Sequence, residues 1–321
     1  MITYLNNSRR VKYLQVILLL ILFFAVISCS EEKQYNIKVS GLKCNYTENP
    51  LGIDNNPKLS WLLFSSNRNQ KQSAYRIIVA STPDKLNKNT GDIWDSRKIK
   101  SDQSIQIPYR GKTPESFKRY YWKVRVWDKK GNKSEWSEPA FWETGLQNPG
   151  DWQAKWITFE SESAPLLRKE FEINQTLSDA RIFISGLGYY ELRINGSKIG
   201  DHVLDPGQTD YEQRTFYEVY DITKEIRQGN NVIGVILGNG WYHQTAVNHG
   251  KFGWKDVDYG IPRLICQTHL TFSDGSKKII ISDETWKASN GPIIYNNIYA
   301  GEHYDAQLEK NGWDTSSYDD L

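Results

Sequence analysis

Carboxylates crowd this sequence in two places. Asp201, Asp205 and Asp210 fall in one stretch punctuated by Gly and Pro, and Glu302 and Asp305 fall in another. Beside Gly and Pro, acids form turns and stay solvated. Grouped with backbone carbonyls they suit a hard cation such as Ca2+, and Asp201, Asp205 and Asp210 are the candidate calcium ligands. Held at a fixed gap, a pair of them can act as acid and base. A second stretch is Gly238-Asn239-Gly240-Trp241-Tyr242. It follows a strand-like run, so its aromatics fall where a strand gives way to an end loop. Glycines flanking Asn239 let a ligand or a neighbouring loop come close. An indole face matches the C–H face of a pyranose, so Trp241 and Tyr242, with Asn239, Asp201 and Asp205, form a candidate sugar site. The competing reading has Trp241 plugging a domain interface. His202, His243, His249, His269 and His303 show no HExxH spacing, and no nucleophile elbow is present. The sequence therefore offers no catalytic residue.

The amino terminus says where the chain works. Arg9, Arg10 and Lys12 precede an apolar run from Val16 to Ile27, too short for the ~20 residues that span a bilayer. A basic start and a short apolar segment make an export signal. Its ending, Val26-Ile27-Ser28-Cys29, resembles the lipobox of bacterial lipoproteins. That resemblance implies cleavage after Ser28, a lipid on Cys29 and an outer-membrane lipoprotein, and Ser30-Glu31-Glu32 resembles a tag for the outer face of the cell. The alternatives are an ordinary signal peptide with a chance cysteine, or an uncleaved anchor. Losing residues 1–28 removes three cations and takes the formal charge from +2 to −1. No excess suited to nucleic acid remains. Cys44 and Cys266 lie far apart without CxxC spacing and are expected as free, buried thiols.

Periodicity shows what must position these groups. Twelve Trp and nineteen Tyr stand against one Met, a composition that serves sugar stacking or the core of a β-sandwich. Strand patterns cover Ala74–Ala80, Tyr120–Asp128, Ala140–Glu143, Arg181–Ser185, Tyr189–Ile194, Asn231–Leu237, Leu264–Phe272 and Lys278–Ser282. In Tyr120–Asp128, Trp122, Val124 and Val126 share a core face, while Tyr121, Lys123, Arg125 and Trp127 share a solvated one. Asn195-Gly196 and Asp274-Gly275 mark tight hairpins. The one candidate helix is a short turn from Ile222 to Ile226. The expected fold is all-β, with two tandem β-sandwiches, the second jelly-roll-like, after the lipoprotein signal. The expected boundaries are a signal at 1–28, a tether at 29–36, a first sandwich at 37–145, a linker at 146–156 and a second sandwich at 157–311. A further linker starts at 312–321. With Trp61 after Pro57, the first sandwich resembles a fibronectin type III module.

The second region carries a further resemblance. Trp152-Gln-Ala-Lys-Trp156-Ile157, Leu167–Phe171, Gly188-Tyr189-Tyr190-Glu191-Leu192, Asn195-Gly196, Gly200–Tyr211, Gly238–Tyr242 and Gly301-Glu302-His303-Tyr304-Asp305-Ala306 occur in the order seen in bacterial α-L-rhamnosidases. The chain resembles the N-terminal part of that family. The resemblance implies a rhamnose-containing glycan as substrate and a helical barrel that carries the acid and base of an inverting hydrolysis. Such a pair works across ~6.5–9.5 Å. It also implies a sandwich that in some members holds rhamnose through calcium. No barrel-like segment is found here, so this chain is expected to be the non-catalytic front of a rhamnosidase, its barrel separately encoded or lost. The alternative is a free-standing surface lipoprotein that binds glycan or protein.

Overall fold

A computed structural model describes residues 37–54, 56–161, 163–244 and 257–319. The signal, the tether with Cys29, and His249 lie outside the described residues. Among these residues no helix is long and apolar enough to cross a membrane.

Two sandwiches follow one another. In the first, Lys38–Cys44, Lys58–Phe64 and Ile107–Pro108 form one sheet. Facing it, Gln72–Ala80 lies between Trp94–Asp95 and Arg119–Asp128, and Ala140–Glu143 completes the edge. The alternation in Arg119–Asp128 explains the packing. Trp122, Val124 and Val126 are fully buried against Trp61, Ile77 and Trp142. Tyr120 stacks on Trp142 with ring centroids 5.5 Å apart. Three of the six tryptophans in this half are buried in its core, and Trp94 packs against them half-buried.

The other face of that strand is covered, contrary to the solvated face expected from alternation. Trp136 lies over it, with the Arg125 guanidinium 4.3 Å and the Lys123 ammonium 5.4 Å from the ring centre. Beside it Ile78, Ala80 and Leu86 form a small second core. Leu86 sits on a helix, Pro83–Asn87, that the strand pattern does not reveal. Thr82 accepts the amide of Lys85 as its N-cap, and Pro83 occupies the first turn, where a missing N–H costs nothing.

In the second sandwich a four-stranded sheet runs Glu218–Asp221, Leu177–Leu187, Arg263–Phe272, Lys277–Ile281. It faces a five-stranded sheet ordered Ser197–Lys198, Tyr189–Ile194, Gly229–Gly238, Pro165–Ile173, Lys287–Asn290. Between them lie Ile182, Ile184, Leu192, Ile194, Ile233, Val235, Leu237 and Leu264. Asn195 and Gly196 adopt φ of 49° and 90°, as their hairpin requires. Ile222 to Ile226 is a hydrogen-bonded turn closed by the Ile226 amide on the Ile222 carbonyl.

The segment expected to lead away from this sandwich instead closes its outer face. Asp314 is buried and accepts from Arg193 Nε at 2.6 Å. The Trp313 ring lies against Gly234, where a Cβ would stand 3.0 Å from it. Arg168 donates to the Thr315 carbonyl. Residues 146–156 are likewise docked onto the second sandwich, as the amides of Gln153 and Ala154 show by donating to Gln267 Oε1.

Candidate functional site

Where the two sandwiches meet, charges converge. Glu143 ends its strand in a buried position and accepts from two guanidinium groups. Arg181 Nε reaches Oε1 at 2.8 Å, Arg181 Nη2 reaches Oε2 at 3.3 Å, and Arg119 Nη2 reaches Oε2 at 2.8 Å. Arg181 is itself buried, and its remaining donors reach Asp179, Asp221 and the Ala180 carbonyl. A buried ion pair survives only with this degree of satisfaction.

Beside it Phe117 stacks on His269, centroid to centroid 4.2 Å, and meets Phe183 edge-on. Gln267 fixes the state of that histidine. Its Oε1 takes two backbone amides, so Nε2 is the atom 2.7 Å from His269 Nε2. An amide nitrogen only donates, so the ring nitrogen must accept and the imidazole is neutral. Burial and nearby Lys277 pull the His269 pKa down to about 4.

The second concentration of polar groups is the corner around Gly238–Tyr242. A pocket of about 360 Å3 opens there, lined in part by Tyr189, Glu191, Leu204, Gly238, Asn296 and Glu302. The five-stranded sheet supplies Tyr189, Glu191 and Gly238. The hairpin of Ile293–Asn297 and Gly301–Tyr304 supplies Asn296 and Glu302, and the loop after Gly200 supplies Leu204. Asn296 ties the two together, its Oδ1 accepting the Asn239 amide at 2.6 Å and its backbone carbonyl accepting from Asn239 Nδ2 at 3.0 Å. Asn296 Nδ2 is buried and has no protein partner among the described residues. A donor left in that state favours a ligand acceptor.

The residues singled out from the sequence are placed differently. Asn239 serves Asn296. Trp241 packs edge-on against Tyr299, 5.3 Å between centroids, and does not line the pocket. Tyr242 is buried in a cluster with Tyr211 and Tyr259. At Gly240, φ is 53° and a Cβ would lie 2.9 Å from the Tyr189 amide nitrogen. The glycine admits a neighbouring loop.

The three aspartates do not converge, and the described residues contain no cluster of three His, Cys, Asp or Glu able to hold a metal ion. Asp205 is held by His202 Nδ1 at 2.7 Å and the Tyr220 hydroxyl at 3.1 Å. Asp210 accepts the Glu212 amide and the Gln213 side chain within its own turn. Asp201 is exposed. Asp205 and Asp210 are thus already engaged by protein donors, and the three carboxylates expected to bind calcium are not gathered into one such cluster. Cys44 and Cys266 are free and buried, and burial pushes the Cys44 thiol up to about 12.

The sequence reading missed Asn296, Glu191, Glu143 and Arg181. A signal existed for Asn296, in the Asn296-Asn297 pair of a short hairpin strand. None existed for Glu143 and Arg181, whose meeting depends on how two domains dock.

Comparison with known proteins gives the same two units. Residues 39–148 match the domain described as Rha78A-like, N-terminal immunoglobulin domain. Residues 175–321 match the Alpha-L-rhamnosidase N-terminal domain. An alpha-L-rhamnosidase of Formosa agariphila is 38% identical across 94% of this chain and 35% of its own length. The alpha-L-rhamnosidase structure from Dictyoglumus thermophilum superposes with a TM-score of 0.81 at 44% identity, over 89% of this chain and 33% of that one. The Streptomyces avermitilis alpha-L-rhamnosidase, solved with L-rhamnose, shares the fold with a TM-score of 0.81 at 24% identity, over 88% and 44% of the two chains. The chain thus spans about a third of the length of the first curated relatives it matches.

Proposed function

Both domains are N-terminal domains of the α-L-rhamnosidase family, and on that premise we propose that they serve as the non-catalytic front of such an enzyme acting on rhamnose-containing glycans. In this reading the sandwiches form a rigid scaffold, exported and anchored through a lipid on Cys29, and the pocket beside Asn296 holds a sugar. The observation that carries it is the pairing of the two family domains in order, joined by a buried ion network. The α-helix among the described residues is five residues long, and in this reading the acid and base of the hydrolysis belong to the rest of the enzyme.

The pocket has the size expected of a small-ligand site and mixes aromatic, backbone and amide groups. Asn296 Nδ2 supplies a donor for a sugar hydroxyl, and Tyr189 and Ile293 offer apolar walls. Titration with L-rhamnose, followed by intrinsic fluorescence, should show saturable binding near the millimolar range, about −4 kcal/mol. Asn296→Asp keeps the oxygen that accepts the Asn239 amide and removes the free donor, so affinity should fall about fivefold to tenfold with little change in melting temperature. A chelator should leave the titration unchanged. A flat titration would contradict the sugar-binding part of the reading.

A further inference from the structure

The first sandwich has two unlike ends. Arg119–Asp128 runs its length, ten residues or about 30 Å at ~3.3 Å per residue. At its Arg119 end lies the joint with the second sandwich. At its Asp128 end, two loops and the chain's entry come together. Phe64 pairs with Lys38, so residues 65–71 start beside the point where the polypeptide arrives from Cys29. The turn after Asp128 is tied to the same loop, Lys129 Nζ donating to the Asn69 carbonyl at 2.6 Å.

This end is both apolar and basic. Leu62 and Phe64 are 62% and 67% exposed, with Leu63 between them at 37%. Around them Lys38, Arg68, Lys71, Lys129 and Lys130 are exposed. Asp128, at the foot of the turn, is buried and accepts the amides of Lys130 and Asn132. Asp102 is an exposed acid on the adjoining loop.

We infer that this end of the first sandwich docks onto an anionic lipid surface, with Leu62 and Phe64 inserted at the headgroup level and the basic loops flanking them. Apolar side chains rimmed by Lys and Arg are what such a surface takes up. Reach favours the membrane over another partner. Residues 29–36 cover at most about 28 Å at ~3.5 Å each, which keeps the patch beside any bilayer that holds Cys29. The second sandwich, at the opposite end, then projects away from the lipid. The inference deepens the anchored reading and rests on it for orientation.

The test uses the mature-length chain as Cys29→Ser, so that binding reports the patch alone. It should sediment with vesicles of phosphatidylcholine and phosphatidylglycerol more than with phosphatidylcholine alone. Leu62→Ser/Phe64→Ser and Lys129→Glu/Lys130→Glu should each lower the bound fraction about tenfold, with the melting temperature of the wild type retained. No binding by the parent chain, or equal binding by all three, overturns the inference. So does a vesicle-free dimer that Leu62→Ser/Phe64→Ser dissociates, which would assign the patch to a second copy. Lipid labelling at Cys29 in cells reads the anchor separately, so either result can fail without the other.

Discussion

The joint between the sandwiches and the pocket beside Asn296 both sit at strand ends, yet they use polar side chains in opposite ways. At the joint, the buried Glu143 and Arg181 satisfy one another together with the half-buried Arg119, and Gln267 completes His269. At the pocket, the buried amide donor of Asn296 is left without a protein partner among the described residues. Charge at the joint ties the two domains together, whereas in the pocket Glu191 and Glu302 stand beside amide and aromatic groups.

The strongest way to break the comparison is to remove charge from the joint. Arg181→Ala leaves Glu143 with Arg119 alone and strands Asp179 and Asp221, which should cost about 3–5 kcal/mol. Urea denaturation checks it, and a loss under about 1 kcal/mol would show the network to be ornamental.

Acid should weaken the same joint through His269. Its folded-state pKa of about 4 lies below its ordinary value of 6.5. As pH falls through 6.5 the unfolded chain takes up a proton that the folded chain refuses, so stability drops between pH 6.5 and about 4. With the ring partly exposed, the loss should be about 1–2 kcal/mol. His269→Phe keeps a ring against Phe117 and should flatten the pH dependence in that window.

The smallest effect should come from Trp241→Ala. Losing its edge-on contact with Tyr299 should cost about 1 kcal/mol. The L-rhamnose titration should not change, because the indole does not line the pocket. A lost titration would return Trp241 to the role of stacking face.

Local periodicity made the strands legible. Ala140–Glu143 and Tyr189–Ile194 begin and end where alternation places them, and the Asn195-Gly196 turn has the backbone its residues demand. The buried Trp122 face was equally readable. The opposite face was not, because Trp136 returns over Lys123 and Arg125 from beyond the strand. The helix at Pro83–Asn87 was hidden by its brevity, although Thr82-Pro83 is a proper start. At the candidate site the motif Gly238–Tyr242 borders the pocket, with Trp241 and Tyr242 packed against other aromatic rings. Glycine there marks close approach of backbone, and a sequence does not say whether loop or ligand arrives. The cover formed by Trp313 and Asp314 depends on pairing with Gly234 and Arg193 across the fold, which leaves no local pattern.

The measurement that tests the central claim most directly is hydrolysis of an aryl α-L-rhamnoside by the purified mature chain. If the chain is the non-catalytic front proposed above, release of the aryl alcohol should stay at the buffer rate. Turnover that follows the protein through purification, and disappears in Glu302→Gln or Glu191→Gln, would contradict the account and make the pocket a reaction centre.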